Sequence, residues 1–234
     1  MKTIYFDLDD TLYFRRDAFF AAFDTFFKIK DEKLKSFANE RCRIRGDEIF
    51  FDPKSKSLSS EQMYIRRFQK GFHDAGIEIS EKQALEFYSL YNKALYEIKL
   101  NPEVSAMLDF AKTHFEKLGI FTNGESEHQR KKIKSLGLDR WIDTSLTVIS
   151  GDYGFPKPDK RIFEIAKEKS GSECENLVFV SDSFQNDILP AHKLGWHTVW
   201  INLYGENFKA PDFSVTNVSE LPSILKEIAY TFAT

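Results

Sequence analysis

The sequence predicts an α/β fold with a parallel sheet, into which a helical segment is inserted after the first strand. Two observations support this prediction. From about residue 117 onward, short apolar segments alternate with helical patterns, which is typical of a parallel sheet covered on both faces. Between the first apolar segment and that region, the apolar residues instead recur at helical spacing.

The first strand is predicted over residues 2–8, KTIYFDL. Ile4, Tyr5 and Phe6 are β-branched or aromatic, and such residues favour a short buried strand. Acidic residues interrupt the apolar run, so we expect this segment to be neither a signal peptide nor part of a membrane span.

The inserted segment begins with phenylalanines that recur at the spacing of one helix face. We expect these residues to form the core of the insert: they are Phe19, Phe20, Phe23, Phe26 and Phe27. Leu34, Phe37 and Ile44 indicate a second helix. Residues 50–60 are rich in serine and aspartate and contain a proline, which indicates a loop.

Further helices are predicted before the alternating region. One covers about residues 61–76. Ser80 and Gln83 have the spacing of a capping box, which starts the next helix. Asn101 followed by Pro102 starts another, because asparagine is a good N-cap and proline fits the first helical position.

The alternating region completes the predicted organisation. Gly137 and Gly195 end helices within it, as glycines beyond a helix C-terminus. We therefore predict an α/β core at residues 1–14 and 98–234 and a helical domain at residues 15–97. The strands predicted in the second part of the core are Leu118–Phe121, Ser145–Ile149, Leu177–Val180, Thr198–Ile201 and Phe213–Val215.

Composition excludes several classes of function. The 234 residues include 33 Lys and Arg against 36 Asp and Glu, a net charge of −3. A surface so close to neutral argues against a nucleic-acid or anionic-membrane partner. Cys42 and Cys174 are too few for a disulfide scaffold and fit the reduced thiols of a cytoplasmic protein. The oligomeric state stays open between monomer and homodimer.

Acidic residues follow the first predicted strand. Period-two alternation places Asp7 and Asp9 on the same side of the extended chain. The carboxyl ends of parallel strands are where ligands bind in such sheets, and two neighbouring carboxylates attract a cation or share a proton. A solvated turn would explain an isolated acidic run equally well.

A second apolar strand also ends in acidic residues, which makes the first run informative. In LVFVSDSFQND, Asp182 comes after the strand and Asp187 five residues later. Two such strand ends would bring four carboxylates together. An all-oxygen set of ligands, without histidine or cysteine, suits Mg²⁺ better than zinc.

Polar residues in two intervening segments complete the pattern. Thr122 and Asn123 lie in FTNG, between a predicted strand and a helix. Lys157 lies in GFPKPD, where Pro156 and Pro158 restrict the backbone around it. Neither segment is informative alone.

Taken in chain order, these four segments resemble the motifs of the haloacid dehalogenase superfamily, in its phosphatase branch. DLDDTL is similar to the first motif, FTNG to the second, GFPKPD to the third and SDSFQND to the fourth. The resemblance implies a Rossmann-like core and a helical cap between the first two motifs, where this chain has its insert. One departure is Ser181, where many relatives have glycine, and we expect only a slight change of the loop.

The resemblance implies a Mg²⁺-dependent phosphatase that hydrolyses a small phosphorylated metabolite through an aspartyl-phosphate. Asp7 would be the nucleophile, and Asp9 the general acid and base. Asp7, Asp182 and the backbone carbonyl of Asp9 would hold the metal ion. Asp187 would act on the same ion through water.

The phosphoryl oxygens would be held by Thr122, Asn123 and Lys157, where charge spreads in a loose transition state. Asn123 could also support the neighbouring loops by hydrogen bonding. In this family the cap closes over the site and contributes substrate contacts. Arg15 or Arg16, just beyond the first motif, could contact an anionic group of the substrate.

Alternatives to a phosphatase stay open within this fold. The dehalogenase branch is disfavoured, because it needs no Mg²⁺ and lacks the carboxylate that Asp9 supplies. A response-regulator receiver is disfavoured because the distal acids of this chain follow Lys157. A phosphomutase uses the same first motif, and a catalytically silent binding module would keep the fold.

A nucleotidase is the leading specific prediction. DLDDTLY looks like the first motif of pyrimidine nucleotidases, and an exposed ring of the phenylalanine stripe could stack on a nucleobase.

Overall fold

A computed structural model of the chain describes residues 2–209 and 212–231. Over these residues the chain divides into two compact units. Arg15–Ile98 forms one unit, which is helical, and the chain before and after it forms the other, which contains the sheet.

The helical unit contains four α-helices among the described residues: α1 (Arg15–Phe27), α2 (Glu32–Phe51), α3 (Ser60–Asp74) and α4 (Glu81–Tyr96). The predicted capping box at Ser80 is present at the start of α4, and a second one starts α3 at Ser59. The predicted loop over residues 50–60 is shorter than expected, because α2 continues to Phe51 and α3 begins at Ser60. Between them Asp52 caps a 3₁₀ turn, Pro53–Ser57.

Aromatic rings form the interior of the helical unit. Phe19 and Phe23 of the predicted stripe are buried, whereas its other three members are half-buried. The ring centroid of Phe87 lies 5.3 Å from that of Phe19 and 4.8 Å from that of Phe68. Helices α2 and α3 approach closely at Gly71. The absence of a Cβ atom there permits this approach, since one would collide with Cys42.

A six-stranded parallel sheet runs through the described part of the other unit, in the order β3-β2-β1-β4-β5-β6. The predicted fold class is confirmed. The strands are β1 (Thr3–Phe6), β2 (Lys117–Thr122), β3 (Thr147–Ile149), β4 (Leu177–Ser181), β5 (His197–Ile201) and β6 (Phe213–Val215). The predicted strand over Ser145–Ile149 is shorter than expected, because Thr144–Leu146 forms a 3₁₀ turn capped by Asp143.

The described part of the same unit also contains five α-helices. They are α5 (Pro102–His114), α6 (Ser126–Ser135), α7 (Lys160–Ser170), α8 (Leu189–Lys193) and α9 (Leu221–Thr231). Helix α5 starts as predicted, with the Asn101 side chain accepting from the backbone N–H of Glu103. None of the helices in the described residues is long and apolar enough to span a bilayer.

The core of the α/β unit is also aromatic. The ring of Tyr5 stacks on Trp196, with centroids 6.0 Å apart, and its hydroxyl donates to the carbonyl of Ala166 at 2.8 Å. Gly119 on β2 makes room for this ring, because a Cβ atom there would collide with it.

The order of the strands sets the position of a ligand site. Phe6 at the end of β1 pairs with Ile120 of β2 on one side and with Val180 of β4 on the other. From the central strand β1 the chain adds β2 and β3 on one side and then β4, β5 and β6 on the other. Ligands bind at such switch points, beyond the carboxyl ends of the strands.

Candidate active site

A buried lysine joins two carboxylates at this edge of the sheet. The Lys157 ammonium donates to Asp7 Oδ1 at 2.9 Å, to Asp187 Oδ2 at 2.7 Å and to the carbonyl of Phe121 at 2.9 Å. The lysine is only 1% exposed. Three of the predicted site residues, which are far apart in the sequence, therefore form one hydrogen-bonded cluster, which we call the lysine cluster (Asp7, Lys157 and Asp187).

Burial and charge oppose each other in the lysine cluster. Burial lowers the pKa of Lys157, but Asp187 and Asp7 outweigh it, so the pKa lies above its ordinary value. Burial raises the pKa of Asp187 to about 6, although Lys157 acts in the opposite direction. The ammonium is therefore firmly charged, and it compensates carboxylates that would otherwise be costly to bury.

Asn123 holds the loop that carries this lysine. Its side-chain amide donates to the Lys157 carbonyl at 3.0 Å and accepts from the Lys157 backbone N–H at 2.8 Å. The peptide bond between Lys157 and Pro158 is cis. The side chain of Asn123 thus supports the loop, as the sequence allowed, and its contact with phosphate stays a prediction.

Asp9 lies in a second group of contacts, on the α6 side. Its carboxylate accepts from Lys132 Nζ at 2.6 and 2.9 Å and from Gln129 Nε2 at 2.9 Å. The Tyr13 hydroxyl also donates to it. Thr122 joins this group through its hydroxyl oxygen, which accepts from the same Gln129 amide at 2.9 Å. Asp9 and Thr122, both predicted site residues, are thereby linked.

Ser181 has a more specific role than the slight loop change we expected. Its hydroxyl donates to Asp187 Oδ2 at 2.6 Å and accepts from the backbone N–H of Ser183 at 3.1 Å. A glycine at this position would lack both bonds. Ser181 therefore fixes the Asp187 carboxylate from the end of β4.

The backbone of Asp182 is held from two sides. Its N–H donates to Thr11 Oγ1 at 3.2 Å, and its carbonyl accepts from the Trp200 indole N–H at 2.9 Å. The half-buried residue therefore has a fixed backbone at the carboxyl end of β4.

The donor chemistry of these residues fits a hard cation. Asp187 Oδ1 is buried and accepts no hydrogen bond from the residues that the structure describes. Asp182 follows the strand next to the one that Asp7 follows. Carboxylate oxygens of this kind are the ligands that Mg²⁺ prefers. As the side chains of the described residues are placed, no group of three His, Cys, Asp or Glu is arranged to hold a metal ion, and Lys157 joins Asp7 to Asp187.

Sequence reasoning missed Gln129 and Lys132. A signal was nevertheless present in α6, SEHQRKKIKS, in which Ile133 is the only large apolar residue. A helix so polar buries polar side chains wherever it packs on the rest of the unit, and the two it buries are Gln129 and Lys132. Their partners, by contrast, follow only from the fold.

The fold and the site together define an α/β enzyme with carboxylates and a lysine at the switch point of a parallel sheet. A model of the haloacid dehalogenase-like hydrolases matches residues 1–195, and the chain belongs to this family.

Known proteins similar to this chain agree with that assignment. Glyceraldehyde 3-phosphate phosphatase from Methanocaldococcus jannaschii is 27% identical over 243 residues, which cover 97% of this chain and 98% of the relative. Pyrimidine 5'-nucleotidase YjjG from Escherichia coli is 27% identical over 233 residues, with 95% and 96% covered. The relatives confirm the predicted enzyme class, a phosphoric monoester hydrolase.

Among solved structures, the HAD-hydrolase YfnB from Bacillus subtilis, bound to magnesium, is similar to the chain with a TM-score of 0.73 at 21% identity. The match covers 96% of this chain and 98% of YfnB, and it confirms the fold.

Proposed function

We propose that the chain is a Mg²⁺-dependent phosphatase that hydrolyses a small phosphate monoester through an aspartyl-phosphate on Asp7. The observation that carries this proposal is the lysine cluster, with Asp9 two residues beyond Asp7. A carboxylate held beside an ammonium at a ligand-binding edge has both the nucleophile and the positive charge that phosphoryl transfer requires.

Asp7 is suited to in-line attack because its carboxylate is oriented. Lys157 holds Oδ1, and the backbone N–H of Asp7 donates to the Val180 carbonyl at 2.9 Å. An oxygen of Asp7 forms the new bond to phosphorus as the ester bond to the leaving oxygen breaks. This divides one difficult displacement into two easier ones.

Asp9 supplies the proton. It protonates the leaving oxygen in the first step and takes a proton from the attacking water in the second. Lys157 and Thr122 hold the phosphoryl oxygens, on which negative charge is spread in the transition state.

The metal ion would be held by Asp7, Asp182 and the backbone carbonyl of Asp9, with Asp187 acting through water. When bound, Mg²⁺ neutralises the charge of the phosphate and aligns it with the nucleophile. Asp187 Oδ1, buried without a partner, supports a polar ligand or ion at this position.

For the substrate, we propose a small phosphorylated metabolite and place nucleoside monophosphates first. The support is the resemblance of DLDDTLY to pyrimidine nucleotidases together with the YjjG similarity. A triose phosphate is the second candidate, because of the phosphatase from Methanocaldococcus jannaschii.

Phosphate release tests this proposal. The purified chain is assayed on p-nitrophenyl phosphate with Mg²⁺ and with EDTA, and then on nucleoside monophosphates, triose phosphates, sugar phosphates and phosphoglycolate. We expect Mg²⁺-dependent release, and loss of at least ~10³-fold in Asp7→Asn. Wild-type activity in that variant contradicts the assignment of the nucleophile, and a requirement for a bisphosphate activator indicates a mutase.

A further inference from the structure

We propose that Gln129 and Lys132, on one face of α6, are positioning residues that hold the Asp9 carboxylate for proton transfer. The inference rests on the proposed function, in which Asp9 is the general acid and base. Neither residue belongs to the four motifs that the sequence resembles.

Lys132 contacts both oxygens of Asp9. Its ammonium lies 2.6 Å from Oδ1 and 2.9 Å from Oδ2, and its side chain is 3% exposed. The next residue shows the contrast, because the Lys131 side chain is 55% exposed and pairs with Glu127 on the same helix. Burying a long charged side chain costs rotamer entropy and hydration. At Lys132 this cost is offset by its contacts with the Asp9 carboxylate.

Gln129 links Asp9 to the second motif. Its Nε2 lies 2.9 Å from Asp9 Oδ2, 2.9 Å from Thr122 Oγ1 and 2.9 Å from the carbonyl of Asn123. This residue is 1% exposed. One amide therefore ties the proposed proton donor to the threonine proposed to hold a phosphoryl oxygen, which sets the spacing between them.

The surrounding backbone is built to admit the Gln129 side chain. Gly124 has a φ of +144°, and a Cβ atom at this position would lie 2.9 Å from Gln129 Cγ. Helix α6 is itself fixed, because Glu125 caps its N-terminus and Arg130 pairs with Asp152 at 2.6 Å. Gln129 and Lys132 are three residues apart on this fixed helix, and both side chains therefore reach the Asp9 carboxylate.

The position of Asp9 affects the rate because proton transfer accompanies the changes in bonding at phosphorus. Asp9 takes a proton from the water that hydrolyses the aspartyl-phosphate and passes it to the ester oxygen of the next substrate, while the bond from phosphorus to that oxygen breaks and the bond from Asp7 to phosphorus forms. A misplacement of about 1 Å can cost ~10²-fold in rate. An alkoxide leaving group is strongly basic and must be protonated as it departs, whereas p-nitrophenolate departs without protonation. Esters of the two leaving groups should therefore respond differently when Asp9 is misplaced.

The experiment compares leaving groups. Lys132→Met and Gln129→Leu are assayed with Mg²⁺ on glycerol phosphate and on p-nitrophenyl phosphate. Lys131→Met, on the same helix, is the matched control, and Lys132→Arg is the conservative variant. Melting temperature is measured for each.

We expect kcat on glycerol phosphate to fall by ~10–10²-fold in the first two variants, with less than about 3-fold change on p-nitrophenyl phosphate and in KM. Lys131→Met should match the wild type, and Lys132→Arg should restore part of the loss. In an Asp9→Asn background, Lys132→Met should no longer change the ratio of the two activities, because residues that act through one another are non-additive.

Equal losses on both esters, whether or not the melting temperature falls, would show a merely structural role and overturn the inference while leaving the phosphatase intact. The same conclusion follows if Lys132→Met still changes the ratio in the Asp9→Asn background. A wild-type chain that releases no phosphate with Mg²⁺ would overturn the proposed function, and this inference with it.

Discussion

Lys157 of the α/β unit and Arg67 of the helical unit are both buried cations, and they are stabilised differently. Lys157 in the α/β unit is 1% exposed and donates to two carboxylates and a carbonyl. Arg67 in the helical unit is 8% exposed and donates to the carbonyl of Cys42 at 3.0 Å. Its guanidinium lies 5.4 to 5.8 Å from the ring centroids of Tyr64, Phe68 and Tyr91, and no carboxylate in the described residues pairs with it.

This difference separates a chemical role from a packing role. Carboxylates are expensive to bury, so two of them around one ammonium indicate a site kept for its charge. Aromatic faces attract a cation more weakly, by about 0.5–2 kcal/mol, and they also bury apolar area. We therefore interpret the lysine cluster as a functional site and Arg67 as a packed residue in the interior of the helical unit.

Replacing Lys157 tests the comparison most severely. Lys157→Met leaves Asp7 and Asp187 close together and buried without their counter-ion. We expect the free energy of unfolding to fall by about 3–5 kcal/mol, and phosphate release to fall by ~10²–10³-fold. Urea unfolding and the p-nitrophenyl phosphate assay measure the two effects.

Arg67→Met is the matched control for that variant. It removes a buried cation of similar length but leaves no carboxylate unpaired, so we expect a loss of only about 1–2 kcal/mol. An equal or larger loss than in Lys157→Met would contradict the contrast between the two units.

Truncating an aromatic ring tests the helical unit. Phe68 is fully buried, and its ring centroid lies 4.8 Å from that of Phe87 and 5.5 Å from that of Tyr91. Phe68→Ala should lower the free energy of unfolding by about 3–5 kcal/mol, because the cavity cannot close among packed rings. Calorimetry measures the change, and Phe68→Leu, which fills more of the space, should lose less. A loss below about 1 kcal/mol would show that the rings are loosely packed.

The smallest expected effect is a difference in reactivity between the two cysteine thiols, Cys42 and Cys174. Burial raises the pKa of Cys42, in the helical unit, to about 12, whereas Cys174 is a half-buried free thiol of the α/β unit. The reactive species is the thiolate, so Cys42 should stay protonated and unlabelled by iodoacetamide at mildly alkaline pH. Peptide mass mapping should find label on Cys174 alone until the chain is unfolded. Rapid labelling of Cys42 in the folded chain would contradict a dry interior of the helical unit.

Much of the fold could be predicted because its signals are local. The strand Phe213–Val215 and the capping box at Ser80 depend on a few neighbouring residues, and both occur as predicted. Asp7, Lys157 and Asp187 could be selected as a group because strand ends of a parallel sheet meet at one edge.

The remaining contacts depend on packing between distant segments. Lys132 meets Asp9 across a separation of 123 residues, and Arg67 meets Cys42 from a different helix. A polar helix face indicates that polar residues will be buried, but their partners depend on how that helix lies on the sheet. The loop predicted over residues 50–60 is shorter than expected and contains a 3₁₀ turn, which the Asp52 side chain caps by accepting from the backbone N–H of Lys54.

Trapping the covalent intermediate is the most direct test of the proposal that Asp7 is the nucleophile. Borohydride added during turnover with Mg²⁺ reduces an aspartyl-phosphate to homoserine, which peptide mass spectrometry locates. We expect homoserine at position 7 in the wild type, dependent on substrate and absent from Asp7→Asn. Reduction at another aspartate, or steady phosphate release with no reduced residue under conditions that trap a known acyl phosphate, would contradict it.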